Sequence, residues 1–142
     1  MGKKYKIGYT QGTFDMFHVG HLNLLKHAKE LCDILIVGVN SDHLVEEYKH
    51  KTPIIHELER KEILQSIRYV DNVVICNTLD KMEMHKWIHF DAIFIGNDWK
   101  GNERWAKTEE DLGKIGVHVV YLEYTKGVSS TMLRDSVQDT QA

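Results

Sequence analysis

Two histidines, His18 and His21, stand where a strand-like run, residues 5–9, gives way to an amphipathic helix. Residues 12–21 read GTFDMFHVGH. Residues three apart share a helical face, and free backbone N–H groups at a helix start attract phosphate. Gly20 removes a side chain where a triphosphate could approach the backbone closely. The pattern therefore predicts a phosphate site with two imidazole donors aimed into it.

The same turn supplies further polar groups. Thr13 offers a hydroxyl donor. Asp15 has three alternative roles: it orients a histidine, holds a metal-bound water, or bonds nearby backbone N–H groups as an ordinary turn carboxylate. We assign the turn to nucleotide binding as a set made of Gly12, Thr13, Phe14, Asp15 and Gly20.

A second phosphate site is predicted where residues 127–134 read GVSSTMLR. A glycine turn followed by hydroxyls at a helix start offers free N–H groups and side-chain donors together. An ordinary N-cap needs one hydroxyl, whereas three adjacent hydroxyls favour binding of the β- and γ-phosphates. The nucleotide-binding residues assigned here are Ser129, Ser130 and Thr131.

Residues 96–99, GNDW, follow another strand-like run and are expected at the ligand-binding edge. Gly96 allows close backbone approach, and Asp98 can accept hydrogen bonds from ribose hydroxyls or from a base amino group. Trp99 either packs in the core or stacks on a base. Gly96 and Asp98 join the predicted nucleotide site.

Apolar runs alternate with helical patterns along the chain, which indicates βαβ units and a parallel sheet. The predicted fold is α/β: a single domain over residues 1–142 with a doubly wound, Rossmann-like parallel sheet of about five strands and helices on both faces. Such sheets bind ligands beyond the carboxyl ends of their strands. The predicted strands are residues 5–9, 34–39, 72–76, 92–96 and 118–122, and the helical faces are Leu22, Leu25, Ala28 and Leu31, then Ile63, Leu64, Ile67 and Val70.

Two further helices are predicted. Asp80 and Glu83 form the pattern of a capping box that opens a helix running through Trp87. Residues 103–115 read as a charged, exposed helix.

Residues 47–56 carry neither a helix nor a strand pattern, and we predict a mobile loop over the site. This loop contains Lys49 and Lys51. Loop lysines are often merely solvated, but a lysine on a flexible loop can also close over bound phosphate as a movable point charge.

Composition narrows the class of protein. The 142 residues suit one compact domain, and the net charge of −3 argues against a general nucleic-acid binder. No apolar run is long enough to span a membrane, and no secretory signal opens the chain, so we expect a cytoplasmic protein without a membrane partner. Cys32 and Cys76 form no CxxC pair and are expected to be buried free thiols.

The motifs together resemble those of a known family. GTFDMFHVGH, residues 67–71 (IRYVD), residues 96–99 and residues 125–131 (TKGVSST) resemble, in order and spacing, the cytidylyltransferase branch of the HxGH nucleotidyltransferases. Within that branch the chain is most similar to the glycerol-3-phosphate cytidylyltransferases. The resemblance implies transfer of CMP from CTP to a phosphorylated alcohol, first of all glycerol 3-phosphate, with release of pyrophosphate. Phosphocholine, phosphoethanolamine and other polyol phosphates remain alternative acceptors.

The resemblance also assigns roles to residues. It makes His18, His21 and Lys51 catalytic, and it adds Thr125 and Arg134 to the nucleotide site. It places the acceptor phosphate at Lys49, Arg68 and Lys126. An Arg68–Asp71 surface pair is the alternative for that arginine. Mg²⁺ is the expected cofactor, because triphosphates bind magnesium in solution, but no residue is assigned as a metal ligand. The resemblance further implies a homodimer.

Two departures bear on the substrate. Tyr124 stands where the family usually has an arginine, and Asn97 stands where it usually has an aspartate. Lys126 or Arg134 can replace the missing cation, and Arg134 also makes this stretch similar to adenylyltransferases. Adenylyl transfer to a sugar phosphate is therefore an alternative activity, and a nucleotide sensor without catalysis is an alternative class.

Overall fold

The computed structural model describes residues 3–97 and 100–123, in which strands and helices alternate. The elements in chain order are β1 (Tyr5–Gly12), α1 (Val19–Leu31), β2 (Cys32–Asn40), α2 (Asp42–Lys49), α3 (Glu57–Gln65), β3 (Asn72–Cys76), α4 (Lys81–Ile88), β4 (Ala92–Gly96), α5 (Glu103–Gly113) and β5 (His118–Leu122).

The strands form one sheet in the order β3-β2-β1-β4-β5, and every neighbouring pair is parallel. The predicted α/β fold with a five-stranded parallel sheet is confirmed. β3, β4 and β5 have the predicted bounds, whereas β1 continues to Gly12 and β2 spans the longer range given above. Because β1 lies at the centre of the sheet, its carboxyl end delivers the following turn to the middle of the ligand-binding edge.

Helices cover both faces of the sheet, as a doubly wound fold requires. Leu25 and Ala28 of α1 and Leu64 of α3 pack in one hydrophobic cluster with Leu35 and Val37 of β2. A second cluster lies on the opposite face and joins α4 and α5 to the central strands. Its buried members are Tyr9, Cys76, Met84, Phe90, Ile93, Trp105, Leu112 and Val117.

Gly38 of β2 lets two large groups meet across the second cluster. A Cβ atom at this glycine would overlap the Tyr9 hydroxyl and the Cys76 sulfur. With no side chain there, the Tyr9 hydroxyl lies 3.3 Å from Cys76 Sγ. Both Cys76 and Cys32 are buried free thiols, as predicted.

The sequence patterns missed one helix and extended another too far. α2 is short, yet Ser41 caps it by accepting the Leu44 N–H at 3.1 Å. The predicted loop therefore begins only at His50, whose left-handed backbone (φ 58°) ends the helix. α3 stops at Gln65, so Ile67 and Val70 pack against the core from the following turn and not from one continuous helical face.

The remaining helices follow the predictions with two corrections. Asp80 caps α4 through the N–H groups of Met82 and Glu83, but its own N–H donates to Thr78 Oγ1 and does not complete a capping box with Glu83. α5 is charged but buries Trp105 and Leu112, so only part of its surface is exposed. Within the described ranges, no helix has the length and apolar character needed to cross a bilayer.

Candidate active site

The turn between β1 and α1 has an unusual backbone. Phe14 (φ 53°) and Met16 (φ 50°) both adopt the left-handed region, which is costly for residues with side chains. Tertiary contacts hold this conformation. The Phe14 ring is buried in the core, and the Thr13 carbonyl accepts a hydrogen bond from Arg60 at 2.7 Å. The turn therefore presents the following residues in a fixed orientation.

His18 and His21 together cap α1. His18 is the N-cap, and its Nδ1 accepts the Gly20 N–H at 3.0 Å. His21 Nδ1 accepts the His18 N–H at 3.3 Å. The two rings stack with centroids 3.8 Å apart. The predicted pairing of the two imidazoles at a helix start is thus present in the structure.

This capping determines which nitrogen carries the proton in each ring. A nitrogen that accepts a backbone N–H has no proton, so both neutral rings carry theirs on Nε2. Burial lowers the pKa of His18, and burial together with the neighbouring His18 lowers the pKa of His21 to about 4. Edge contact with Phe14 and tilted contact with Phe17 contribute to that apolar setting. Both histidines are therefore neutral Nε2–H donors at neutral pH.

The His18 Nε2 atom is buried and has no hydrogen-bond partner in the described part of the chain. Buried polar groups are nearly always paired, and leaving one unpaired costs about 1–3 kcal/mol. An unpaired donor of this kind fits a site that receives its acceptor from a ligand.

The lowered pKa values give a prediction for pH dependence. Above about pH 7 the pair stays neutral, and His21 should contribute no ionisation to the pH–rate profile between about pH 6 and 8. The unfolded chain binds more protons than the folded one between about pH 6.5 and 4, so stability falls as the pH drops through that window. Going from pH 7.5 to 5.5 should cost the protein about 1 kcal/mol through His21 alone.

Denaturant unfolding of wild type and His21→Gln at the two pH values measures this contribution. Glutamine does not titrate, so the variant should lose less stability on acidification than the wild type does. An identical loss in both proteins would contradict the lowered pKa of His21.

Asp15 bonds the backbone of the segment that precedes α3. Its Oδ2 and Oδ1 accept the backbone N–H groups of Ile54 and Ile55, each at 2.9 Å. The carboxylate is only 3% exposed. Of the predicted alternatives, this geometry matches the carboxylate that bonds backbone N–H groups, although its partners lie 39 and 40 residues away in sequence.

Arg60 is a site-supporting residue that the sequence did not reveal. It is fully buried in α3, and its guanidinium bonds the carbonyls of Thr13 and Asn40 at 2.7 Å each, the Ile55 carbonyl at 2.8 Å and the Asp42 carboxylate at 2.6 Å. It therefore joins the histidine turn, the end of β2 and the start of α2. The one sequence signal was its position four residues before Leu64, on the buried face of the helix.

A polar network runs along the carboxyl ends of β1 and β2. Gln11 receives a hydrogen bond from the Tyr9 hydroxyl at 2.6 Å and donates to Asn40 at 2.9 Å. Asn40 donates to the Tyr48 hydroxyl at 3.3 Å, which in turn lies 3.3 Å from Thr13 Oγ1. Thr13 thus has a polar setting beside the histidine turn, and Gln11, Asn40 and Tyr48 are neighbours that sequence analysis did not identify.

The two lysines occupy different elements. Lys49 is the last residue of α2 and not a loop residue as predicted, and its ammonium lies 5.6 Å from the Tyr48 ring centroid. Lys51 lies in the irregular segment between α2 and α3 and is exposed. The Tyr48 hydroxyl beside Lys49 bonds Asn40 at the end of β2, and the segment that carries Lys51 is bonded to the histidine turn through Ile54 and Asp15.

Arg68 is not brought to the histidines within one chain. It precedes β3 by four residues, and parallel strands start at the edge of the sheet opposite to the one where the histidine turn lies. Its guanidinium bonds the Tyr69 hydroxyl at 2.9 Å, whereas Asp71 pairs with Lys29 at 2.6 Å. The alternative Arg68–Asp71 pair is therefore wrong, and the predicted acceptor role lacks support from the geometry of a single chain.

Gly12 and Gly96 end β1 and β4, so both lie at the ligand-binding edge, and Gly20 lies in the first turn of α1. A Cβ atom on Gly12 would lie 3.2 Å from the Phe14 ring. The remaining predicted site residues lie outside the described ranges. They are Asp98, Trp99, Tyr124, Thr125, Lys126, Gly127, Ser129, Ser130, Thr131 and Arg134.

The described residues contain no group of three or more His, Cys, Asp or Glu side chains placed to hold a metal ion. At the histidine turn both oxygens of Asp15 already accept backbone N–H groups. This part of the chain does not fit a dedicated magnesium cage, and we assign no metal ligand within it.

Comparison with known proteins gives matches over most of this chain. The profile of the cytidylyltransferase-like family matches residues 9–136. The glycerol-3-phosphate cytidylyltransferase of Staphylococcus aureus is 35% identical over 135 residues, which cover 94% of this chain and 96% of that enzyme. The FAD synthase of Thermococcus kodakarensis is 45% identical over 109 residues, which cover 75% and 71% of the two chains.

A solved structure has a similar fold. The lipopolysaccharide core biosynthesis protein of Thermoplasma volcanium superposes with a TM-score of 0.72 at 28% identity, covering 87% of this chain and 99% of that one. The shared architecture extends over nearly the whole of the smaller chain.

Proposed function

The chain belongs to the cytidylyltransferase-like family of nucleotidyltransferases, and from that premise we propose that it transfers CMP from CTP to glycerol 3-phosphate. The products are CDP-glycerol and pyrophosphate. The observation that carries the proposal is the buried, unpartnered Nε2 of His18 beside the stacked His21 ring. Because this N–H donor is already buried and oriented, it can stabilise the negative charge that develops on phosphate oxygens in the transition state.

The reaction joins two phosphates and needs little proton transfer. An oxygen of the acceptor phosphate forms a bond to the α-phosphorus of CTP, and the bond from that phosphorus to the bridging oxygen breaks. Pyrophosphate leaves with the electron pair. The nucleophile is already anionic, so alignment and charge stabilisation carry the catalysis.

Each described residue has a proposed part in that step. His18 and His21 donate hydrogen bonds from their Nε2–H groups to the α-phosphate and to the bridging oxygen of the leaving group. Because both rings are neutral, they donate without a net positive charge, and Lys51 would supply the charge as a movable cation over the phosphates. Lys49 follows Tyr48, whose hydroxyl bonds Asn40 at the end of β2, and it would bind the acceptor phosphate.

Residues outside the described ranges complete the proposal. Ser129, Ser130 and Thr131 would bind the β- and γ-phosphates, and Lys126 or Arg134 would replace the cation missing at Tyr124. Magnesium bound to the phosphates of CTP would offset the charge of the leaving pyrophosphate. We also propose that the protein is a homodimer. Arg68 lies away from the histidines of its own chain, so it would contribute only to the site of the partner chain.

Adenylyl transfer is a second candidate, because identity to the Thermococcus kodakarensis FAD synthase is 45% over the aligned residues. FAD is an AMP unit joined to FMN, so such an enzyme would use the same chemistry on a different acceptor. The histidine pair serves either reaction, whereas the base and the acceptor would be chosen by other residues.

Pyrophosphate release by the purified protein tests the proposal. CTP and ATP are each combined, with Mg²⁺, with glycerol 3-phosphate, phosphocholine, a sugar phosphate and FMN. We expect turnover with CTP and glycerol 3-phosphate at least about tenfold above every other pair, which corresponds to about 1.4 kcal/mol in transition-state binding. Preference for ATP would replace the proposed donor, and absence of turnover in all pairs would favour a nucleotide sensor.

A further inference from the structure

The segment between α2 and α3, residues 50–56, carries Lys51 and is fixed by the histidine turn. The Asp15 carboxylate accepts the N–H groups of Ile54 and Ile55 at 2.9 Å each. In these charge-assisted hydrogen bonds backbone N–H groups donate to a buried carboxylate, and such bonds are stronger than neutral ones. A segment without regular secondary structure is thus anchored by one side chain of a neighbouring turn.

Pro53 places this anchor close to the lysine. The proline is buried, has no N–H and fixes its own φ angle. The next two backbone donors in the chain, those of Ile54 and Ile55, are the ones that Asp15 accepts. Lys51 stands two residues before the proline and three before Ile54, the first of the two residues that Asp15 anchors.

Arg60 holds the same segment through the carbonyl of Ile55. Its Nε donates to the Ile55 carbonyl at 2.8 Å, and its Nη1 donates to the Thr13 carbonyl at 2.7 Å. Asp15 and Thr13 both belong to the turn that leads into His18. The turn and the lysine segment are therefore connected twice, by a carboxylate and by a guanidinium.

We propose that Asp15 is a positioning residue for Lys51: it sets the distance between the lysine segment and the histidine donors through its bonds to Ile54 and Ile55. The role rests on the proposed function, in which Lys51 approaches the same phosphates as the histidines. One short turn then orients both the neutral donors and the movable cation.

The variant Asp15→Asn tests this with little change in shape. Its amide NH₂ faces a backbone donor in place of one carboxylate oxygen, so one hydrogen bond is lost. We expect kcat for the active substrate pair to fall about 10- to 100-fold, with a smaller change in KM for CTP. In a Lys51→Met background Asp15→Asn should lower kcat by less than about threefold, because the effect of Asp15 on kcat acts through the lysine.

Asp80→Asn is the matched control. Asp80 also accepts two backbone N–H groups, those of Met82 and Glu83, but it caps α4, which packs on the face of the sheet opposite to α1. This variant should retain wild-type kcat. Trypsin should cut Asp15→Asn after Lys49 or Lys51 at least about tenfold faster than wild type, and it should cut Asp80→Asn at the wild-type rate.

Amide hydrogen exchange tests the bonds to Asp15 in the wild-type protein, without any substitution. The N–H groups of Ile54 and Ile55 should exchange about 100-fold more slowly than that of Lys51. Equal exchange rates, unchanged trypsin cleavage in Asp15→Asn, or a full additive loss of kcat in the Lys51→Met background would each overturn the proposal. If the wild type turns over no substrate pair, the proposed function fails instead, and cleavage and exchange alone decide whether Asp15 holds the segment.

Discussion

Replacing His18 with asparagine is expected to lower kcat by about 10²- to 10³-fold, because the variant lacks a preorganised donor at the reacting phosphate. Asparagine is a preferred N-cap residue, and its side-chain oxygen can accept the Gly20 N–H that His18 Nδ1 accepts now. The unfolding free energy should therefore stay within about 0.5 kcal/mol of wild type. Affinity for CTP should change by less than about threefold, since the lost donor acts mainly in the transition state.

His18→Ala provides the comparison that separates capping from catalysis. Alanine loses both the cap and the donor, so it should show the same fall in kcat and an additional stability loss of about 1 kcal/mol. Saturating pyrophosphate-release kinetics, calorimetric titration with CTP and urea unfolding give the three quantities. If His18→Asn kept kcat within about threefold of wild type, the Nε2 atom would have no part in the chemistry.

Replacing Arg60 with methionine is expected to lower the unfolding free energy by about 3–5 kcal/mol. Methionine fills similar space without the charge, so the substitution leaves the Asp42 carboxylate without its cation. It also leaves the carbonyls of Thr13, Asn40 and Ile55 without the guanidinium donors. Such a loss is a large part of the total stability of a domain, which is about 5–15 kcal/mol.

Arg68→Met is the control for the effect of removing an arginine as such. Arg68 is exposed, and within the described part of the chain its guanidinium bonds only the neighbouring Tyr69 hydroxyl. Its replacement should change stability by less than about 0.5 kcal/mol. Urea unfolding measures the unfolding free energy of both variants, compared where their m-values are equal. A loss below about 1 kcal/mol in Arg60→Met would contradict the stabilising role of the buried Arg60 hydrogen bonds.

The predicted sheet agreed with the structure because the signals for strands are local. Apolar runs bounded by polar residues indicated β3, β4 and β5 with their bounds, and alternation with helical patterns indicated parallel order. Short helices gave weaker signals. α2 has eight residues, and its cap at Ser41 precedes a mixed run of charged and apolar side chains that no periodicity distinguishes from a loop.

The position of Arg68 illustrates a different limit. Its motif resembled a substrate-site motif, yet the chain places it before β3, at the opposite edge of the sheet from His18. The predicted parallel strand over residues 72–76 already implied that edge, so the resemblance assigned a role that the topology of a single chain does not support. The location of this arginine was a question of topology and not of residue type.

By itself the sequence determined the turn that carries the histidines, the helix that follows it and the family to which the chain belongs, because these depend on neighbours within a few residues. Only the tertiary structure decided how the polar atoms are used. Two backbone N–H groups fix the tautomers of His18 and His21, and Asp15 and Arg60 find partners up to 47 residues away. Hydrogen bonds of buried groups depend on geometry that spacing along the chain does not contain.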